Sequence, residues 1–322
     1  MGLESTSRPR LIIDCDPGHD DALALFVAAA HADVIGVSTV AGNSSLVHTT
    51  RNALVVTELA GLNVEVHAGA SRPLLAAPRD AAHVHGATGL DGPNPRTPSR
   101  SAASNDAVRW LIETIRAQNG CWLVAVGPLT NVALALRQAP DIVTHLAGLS
   151  IMGGSTNTGN VTAVAEFNIW ADPEAAAIVF DAPFAELRMC ALNLTHQFLV
   201  DDEFIARLRS SDGAGATPSS GAIARGFCAD LLQFYLDRYD ERSATRAAPV
   251  HDVCAILAVT HPELFRFERR SVSIELHGQH TRGMTVVDER DKAAPSTGTD
   301  VAYEIDADAA RELLFAAIAA GS

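Results

Sequence analysis

A short apolar run, Leu11 to Asp14, leads into a Pro-Gly turn and then into Asp20-Asp21 and the helix-forming stretch Ala22 to Ala30. This order predicts strand, loop and helix. The alternation continues with strand Val34 to Val40, helix Leu46 to Ala60 and strand Val64 to Ala68. Helix Asp106 to Gln118, strand Trp122 to Val126, helix Asn131 to Arg137 and strand Leu149 to Met152 follow. Strands alternating with helices predict an α/β fold with a mainly parallel, Rossmann-like sheet flanked by helices. Further on, a helix is expected over Pro173 to Phe180, a strand near Glu186 to Ala191, and helices over Ala222 to Arg242, His251 to Thr260 and Ala307 to Ala320. Ser271 to Leu276 and Met284 to Val287 flank a Gly-containing turn and read as a β-hairpin added to the sheet. Ser71 to Ser104, rich in Pro, Gly, His and Ser, is long for a connection and reads as either a functional lid or a disordered loop. No repeat or linker divides the chain, so residues 10–322 are expected to form one domain behind a flexible N-terminus, residues 1–9.

At 322 residues, with 48% hydrophobic and 19% charged residues, the chain has enough apolar surface for a buried core, which excludes wholesale disorder. The net charge is −14 and the basic residues are scattered, so no stripe exists to follow a nucleic-acid backbone. No apolar run is long enough to span a membrane. All but one of the basic residues are Arg; the single lysine, Lys292, lies in a polar turn, which leaves no phosphate-binding GxxxxGK loop. The five cysteines are far apart and without a CxxC pair, as expected for reduced thiols in a cytoplasmic protein.

In a parallel sheet, ligands gather beyond the carboxyl ends of the strands. The densest chemistry stands there. Asp14-Cys-Asp16-Pro-Gly-His-Asp20-Asp21 places four carboxylates within eight residues after the first strand. Two such charges ~4 Å apart repel by several kcal/mol at an effective dielectric near 20, and a bound cation relieves that repulsion. Because the available ligands are oxygens, the expected ion is hard, Ca2+ or Mg2+ rather than Zn2+. Gly127-Pro-Leu-Thr130-Asn131 and His251-Asp252 could add oxygen ligands, although each alone also fits a turn or a helix cap. Asn160, Glu166 and Asn168, after the strand ending at Met152, suit the hydroxyls of a sugar.

Together these segments resemble the inosine-uridine nucleoside hydrolase family. The likeness runs in order through Asp14 to Asp21, Gly42-Asn43, His83-Val-His85-Gly86, Gly127 to Asn131, Met152-Gly-Gly, Ala165-Glu166-Phe167-Asn168 and Val250-His251-Asp252, across about residues 10 to 320. The resemblance implies Ca2+-dependent hydrolysis of the N-glycosidic bond of ribonucleosides, giving ribose and a free purine or pyrimidine base. It implies Ca2+ held by Asp16, Asp21, Asp252 and the carbonyl of Thr130, with Asp16 as the general base for the attacking water. It also implies ribose contacts from Asp20, Asn43, Asn160, Glu166 and Asn168, with His251 assisting departure of the base. His85, Met152 and Phe167 would line the pocket, and the chain would assemble as a homodimer or homotetramer. Tyr235 and Tyr239, on the helix that faces the base in relatives, could stack on it or pack in the core. His19 stands where the family commonly carries an apolar residue and is expected on the pocket rim.

Two other readings compete. A Mg2+ phosphohydrolase of the haloacid-dehalogenase type also opens with paired aspartates, but it needs a small hydroxyl residue where Gly18 stands, and a lysine. A non-catalytic nucleoside- or pentose-binding protein on the same scaffold would carry the same motifs without turnover.

Overall fold

The computed structural model describes residues 8–95, 97–210, 219–240, 246–290 and 298–321. Most of the N-terminal segment, the stretch 211–218 and Lys292 lie outside these residues.

The main sheet is built from β1 (Arg10–Cys15), β2 (Asp33–Thr39), β3 (Val66–Ala68), β4 (Cys121–Ala125), β5 (Leu146–Met152), β6 (Leu187–Cys190), β7 (Phe265–Arg270) and β8 (Thr299–Ile305). Its strand order is β3-β2-β1-β4-β5-β6-β8-β7. Every neighbouring pair is parallel except β8 with β7. Parallel strands covered by helices are buried on both faces, which explains why β1 reads as a near-continuous apolar run rather than an alternation. On one face, helices His19–His31, Leu46–Leu59, Ser220–Asp240, His251–Thr260 and Ala307–Ala319 share a core; on the other, Ala107–Gln118, Thr130–Gln138 and Pro173–Phe180 share a second.

The strand order reverses between β1 and β4. That reversal opens a crevice beyond their carboxyl ends, the usual ligand position of such sheets. Residue 16 follows β1 there and residue 126 follows β4.

Most predicted elements form within a few residues of their expected ends. The hairpin also forms, Val272–Ile274 pairing antiparallel with Thr285–Val287, but it stands as its own two-stranded sheet. Strand β7 escapes the sequence pattern because Phe-Arg-Phe-Glu-Arg-Arg reads as a charged surface segment. Charge is how an edge strand avoids pairing with another chain. Its two phenylalanines stack on each other, centroids 5.5 Å apart, and pack against the core. The predicted lid holds a short helix, Ala82–His85, and returns to the sheet where Ala68 N–H donates to the Ser104 carbonyl.

Candidate active site

From Cys15 the chain turns through Asp16-Pro17-Gly18 into the helix His19–His31, and the acids of the first motif fall at that turn. Asp21, in the first helical turn, accepts hydrogen bonds from Gly18 N–H (2.9 Å) and Asp16 N–H (3.1 Å), which closes the turn on itself. Asn43 clamps it from β2's side: its N–H donates to Asp16 Oδ2 (2.6 Å) and its amide to Asp21 Oδ2 (3.1 Å). A side chain at Gly42 or Gly127 would collide with the Asp16 carboxylate, so bare backbone is required at both. Below, Asp14 accepts from Ser38 Oγ (2.6 Å) and Asn131 Nδ2 (2.8 Å).

The helix His251–Thr260 brings the second acidic contribution. Asp252, at its start, shares a hydrogen bond with Asp21, and the carboxylates of Asp20, Asp21 and Asp252 all lie within 4.8 Å of one another. Asp16 stands beside this set rather than in it. All four are buried. Burial pushes every one of them up from the usual carboxylate range: Asp16 and Asp252 well up, helped by the neighbouring acids, and Asp20 to about 7. Asp16 Oδ1 is buried with no hydrogen-bond partner among the described residues. A buried carboxylate oxygen left unpaired among other acids is costly unless a cation completes it, so the donor set fits a hard divalent ion.

Asp20 and Asp252 of this set line a cavity of about 270 Å³, near the lower edge of small-ligand sites (~300–1,000 Å³). Its polar wall comprises Asp20, Asn43, Asn160, Glu166, Asn168 and Asp252, with Met152 and Phe167 beside them. Glu166 caps the short helix Phe167–Ala171, accepting from Asn168 N–H (2.9 Å), Ile169 N–H (3.2 Å) and Gly154 N–H (2.9 Å). Burial nevertheless raises it to about 7. Asn168 commits its amide nitrogen to the carbonyls of Val126 (2.9 Å) and Met152 (3.1 Å), so what it offers a ligand is its oxygen. Asn160 Oδ1 accepts from Phe167 N–H (3.0 Å), leaving its nitrogen as the donor.

The rest of the lining is largely aromatic. His83 and His85 come from the lid helix, Tyr235 and Tyr239 from Ser220–Asp240, and His251 completes it. Both tyrosines line the cavity, and Tyr235 also packs in the core. His251 Nδ1 lies 2.7 Å from Thr195 Oγ1. The pKa of about 6.5 that an imidazole has in water does not survive here; burial and His196 push it down to about 3, so His251 is neutral.

Thr130 is the exception among the expected ligands. It opens the helix Thr130–Gln138, where a carbonyl points along the axis toward the following turn, and its hydroxyl donates to Asp172 at 2.7 Å. The residue of that stretch that lines the cavity is Val126, one step beyond β4. Val126, His83 and Val84 went unnoticed as site residues because apolar or isolated residues carry no chemical signal; the strand end at the sheet's reversal was the available clue for Val126.

A model of the inosine-uridine preferring nucleoside hydrolases matches residues 11–312. The chain belongs to this family. It is 37% identical over 302 residues to the pyrimidine-specific ribonucleoside hydrolase RihB of Shigella sonnei, covering 93% of both chains. Among solved structures, it resembles the purine-preferring ribonucleoside hydrolase of Gardnerella vaginalis (28% identity, TM-score 0.87, 96% of this chain and 98% of that one). It also resembles a plant nucleoside hydrolase, PpNRh1 (28%, TM-score 0.86, 97% and 99%). As a nucleoside hydrolase it is an enzyme that cleaves the N-glycosidic bond of ribonucleosides, releasing ribose and the free base.

Proposed function

We propose that this enzyme hydrolyses pyrimidine ribonucleosides in preference to purine ones, with Ca2+ as its cofactor and residues 10–322 acting as one domain. The observation that carries the catalytic part is the unpaired, buried Asp16 Oδ1 beside three further acids. Base preference draws support from the small cavity and from the greater likeness to a pyrimidine-specific relative. The five buried, free cysteines support a reducing compartment such as the cytoplasm.

Asp16, Asp20, Asp21, Asp252 and the Val126 carbonyl would hold the cation. When bound, it would supply the positive charge that lets these acids ionise together, orient the ribose hydroxyls and acidify water. Asp16 is fixed through Oδ2 by Asn43, so Oδ1 accepts the proton of the water that attacks the anomeric carbon. The sugar becomes oxocarbenium-like as the bond breaks. Glu166 and the Asn168 oxygen meet that developing positive charge with charge and dipole already held in place. When Thr195 donates to His251 Nδ1, the ring proton sits on Nε2 and is given as a hydrogen bond to the departing base.

A panel of uridine, cytidine, inosine and adenosine, read by release of reducing sugar, tests the proposal. Uridine or cytidine is expected to have the highest kcat/KM; no sugar release from any of them would leave only a binder, and faster inosine turnover would reverse the base preference. For His251→Ala, kcat on uridine should fall about 10²-fold or more. The loss on p-nitrophenyl riboside, whose leaving group needs no hydrogen bond, should be a few-fold. Equal losses on both substrates would take His251 out of that role.

A further inference from the structure

His19 does not lie on the pocket rim. It is fully buried under the lid and sits two residues before Asp21, in the turn that carries the acids. Its Nε2 lies 2.9 Å from the Asp91 carbonyl, which can only accept, so His19 donates there. Its Nδ1 lies 3.0 Å from Nδ1 of His85, and its backbone N–H donates to that same nitrogen at 3.3 Å. The two rings stack at 5.2 Å and 25°, and both stack on Tyr235, at 5.5 Å for His19 and 5.8 Å for His85. The preceding Gly18 is pressed between Asn43 and His85: a Cβ there would stand 2.8 Å from the Asn43 amide and 2.8 Å from His85 Nδ1. One turn of backbone thus touches both the acidic end and the aromatic end of the cavity.

We infer that His19 is a positioning residue that determines base selection: by pairing Nδ1 with Nδ1 and tying the lid through the Asp91 carbonyl, it fixes which edge of the His85 ring faces the base. His85 Nε2 makes no hydrogen bond among the described residues, and His85 lines the cavity, so this nitrogen is the one presented to a ligand. A rotated His85 would turn carbon toward His19 and lose the pairing, which locks one orientation. An apolar residue at position 19 could stack on Tyr235 and keep the backbone contact to His85 Nδ1, but it would lose the side-chain pairing. The pairing therefore holds the His85 ring by two contacts where an apolar neighbour would leave one.

The inference rests on the reading of the His85 and Tyr235 wall as the base end, and the test separates the two. His19→Leu removes the pairing and keeps the bulk; His19→Asn retains a polar atom at the place of Nδ1. Wild-type hydrolysis of both uridine and p-nitrophenyl riboside is the check on the underlying reading. With that in hand, His19→Leu is expected to raise KM for uridine about tenfold, with kcat changed less than threefold. Its kcat/KM on p-nitrophenyl riboside, which has no base edge to recognise, should stay within twofold, and His19→Asn should recover most of the uridine KM. Equal losses on both substrates in His19→Leu, or an unchanged KM for uridine, would overturn the inference. So would misfolding of His19→Leu together with a His19→Asn variant whose losses do not discriminate between the substrates.

Discussion

Asp16→Asn is expected to lower kcat on ribonucleosides by at least about 10³-fold while leaving the fold intact, within the range that loss of a positioned general base produces (~10²–10⁴). Asparagine matches aspartate in shape, and its oxygen can still accept from Asn43 N–H, so the clamp that closes the turn survives. What disappears is the basic oxygen at Oδ1. Burial and the charge of Asp21 raise the affinity of Asp16 for a proton well above that of an ordinary carboxylate, and an amide has none of that basicity. Removing one of four crowded buried acids relieves repulsion, so the metal-free variant should melt at or above metal-free wild type. Sugar release and thermal melting measured side by side decide the matter: activity within tenfold of wild type, with the fold retained, would remove Asp16 from the base role.

How much of this could be read from the amino-acid order differs from part to part. The parallel core was legible because β1, β4 and β5 are buried on both faces and leave uninterrupted apolar runs beside helix-forming stretches. β7 was not, since its outward charges mask an inward Phe265 and Phe267. Within the site, the acids of the first motif were visible because their crowding within one turn has no cheap structural explanation. Asp252 is joined to the first motif only through the family resemblance; its own residues read as a helix cap until His251–Thr260 packs against His19–His31. The loop after β4 shows the limit most clearly: the family resemblance points to the Thr130 carbonyl, but Thr130 opens a helix and does not line the cavity, whereas Val126, which does, has nothing but position to mark it. Likewise, His19 is expected on the pocket rim and becomes a buried partner of His85 only once the segment carrying His85 and Asp91 is folded over it.

Exhaustive removal of divalent cations should abolish turnover, and Ca2+ should restore it. The accompanying change in stability has a sign that can be worked out. A carboxyl whose pKa is higher in the folded protein than in the unfolded chain binds its proton more tightly when folded; the folded state is then favoured at low pH and loses that advantage as pH rises through the folded value. Asp20, held at about 7, behaves in this way, and Asp16, Asp21 and Asp252 are shifted in the same direction. Metal-free protein therefore carries a growing penalty from about pH 4 to pH 7 and above, as the buried acids are forced to ionise without a counter-charge. A cation among them removes that penalty, and at a thousandfold excess over its Kd contributes about 4 kcal/mol. In a chain of this size that is worth about 6 °C in Tm. The gap in Tm between calcium-loaded and metal-free protein should thus be small near pH 5 and wide at pH 8. A gap that does not change with pH, or full activity after chelation, would mean that these acids are kept apart by something other than a metal ion.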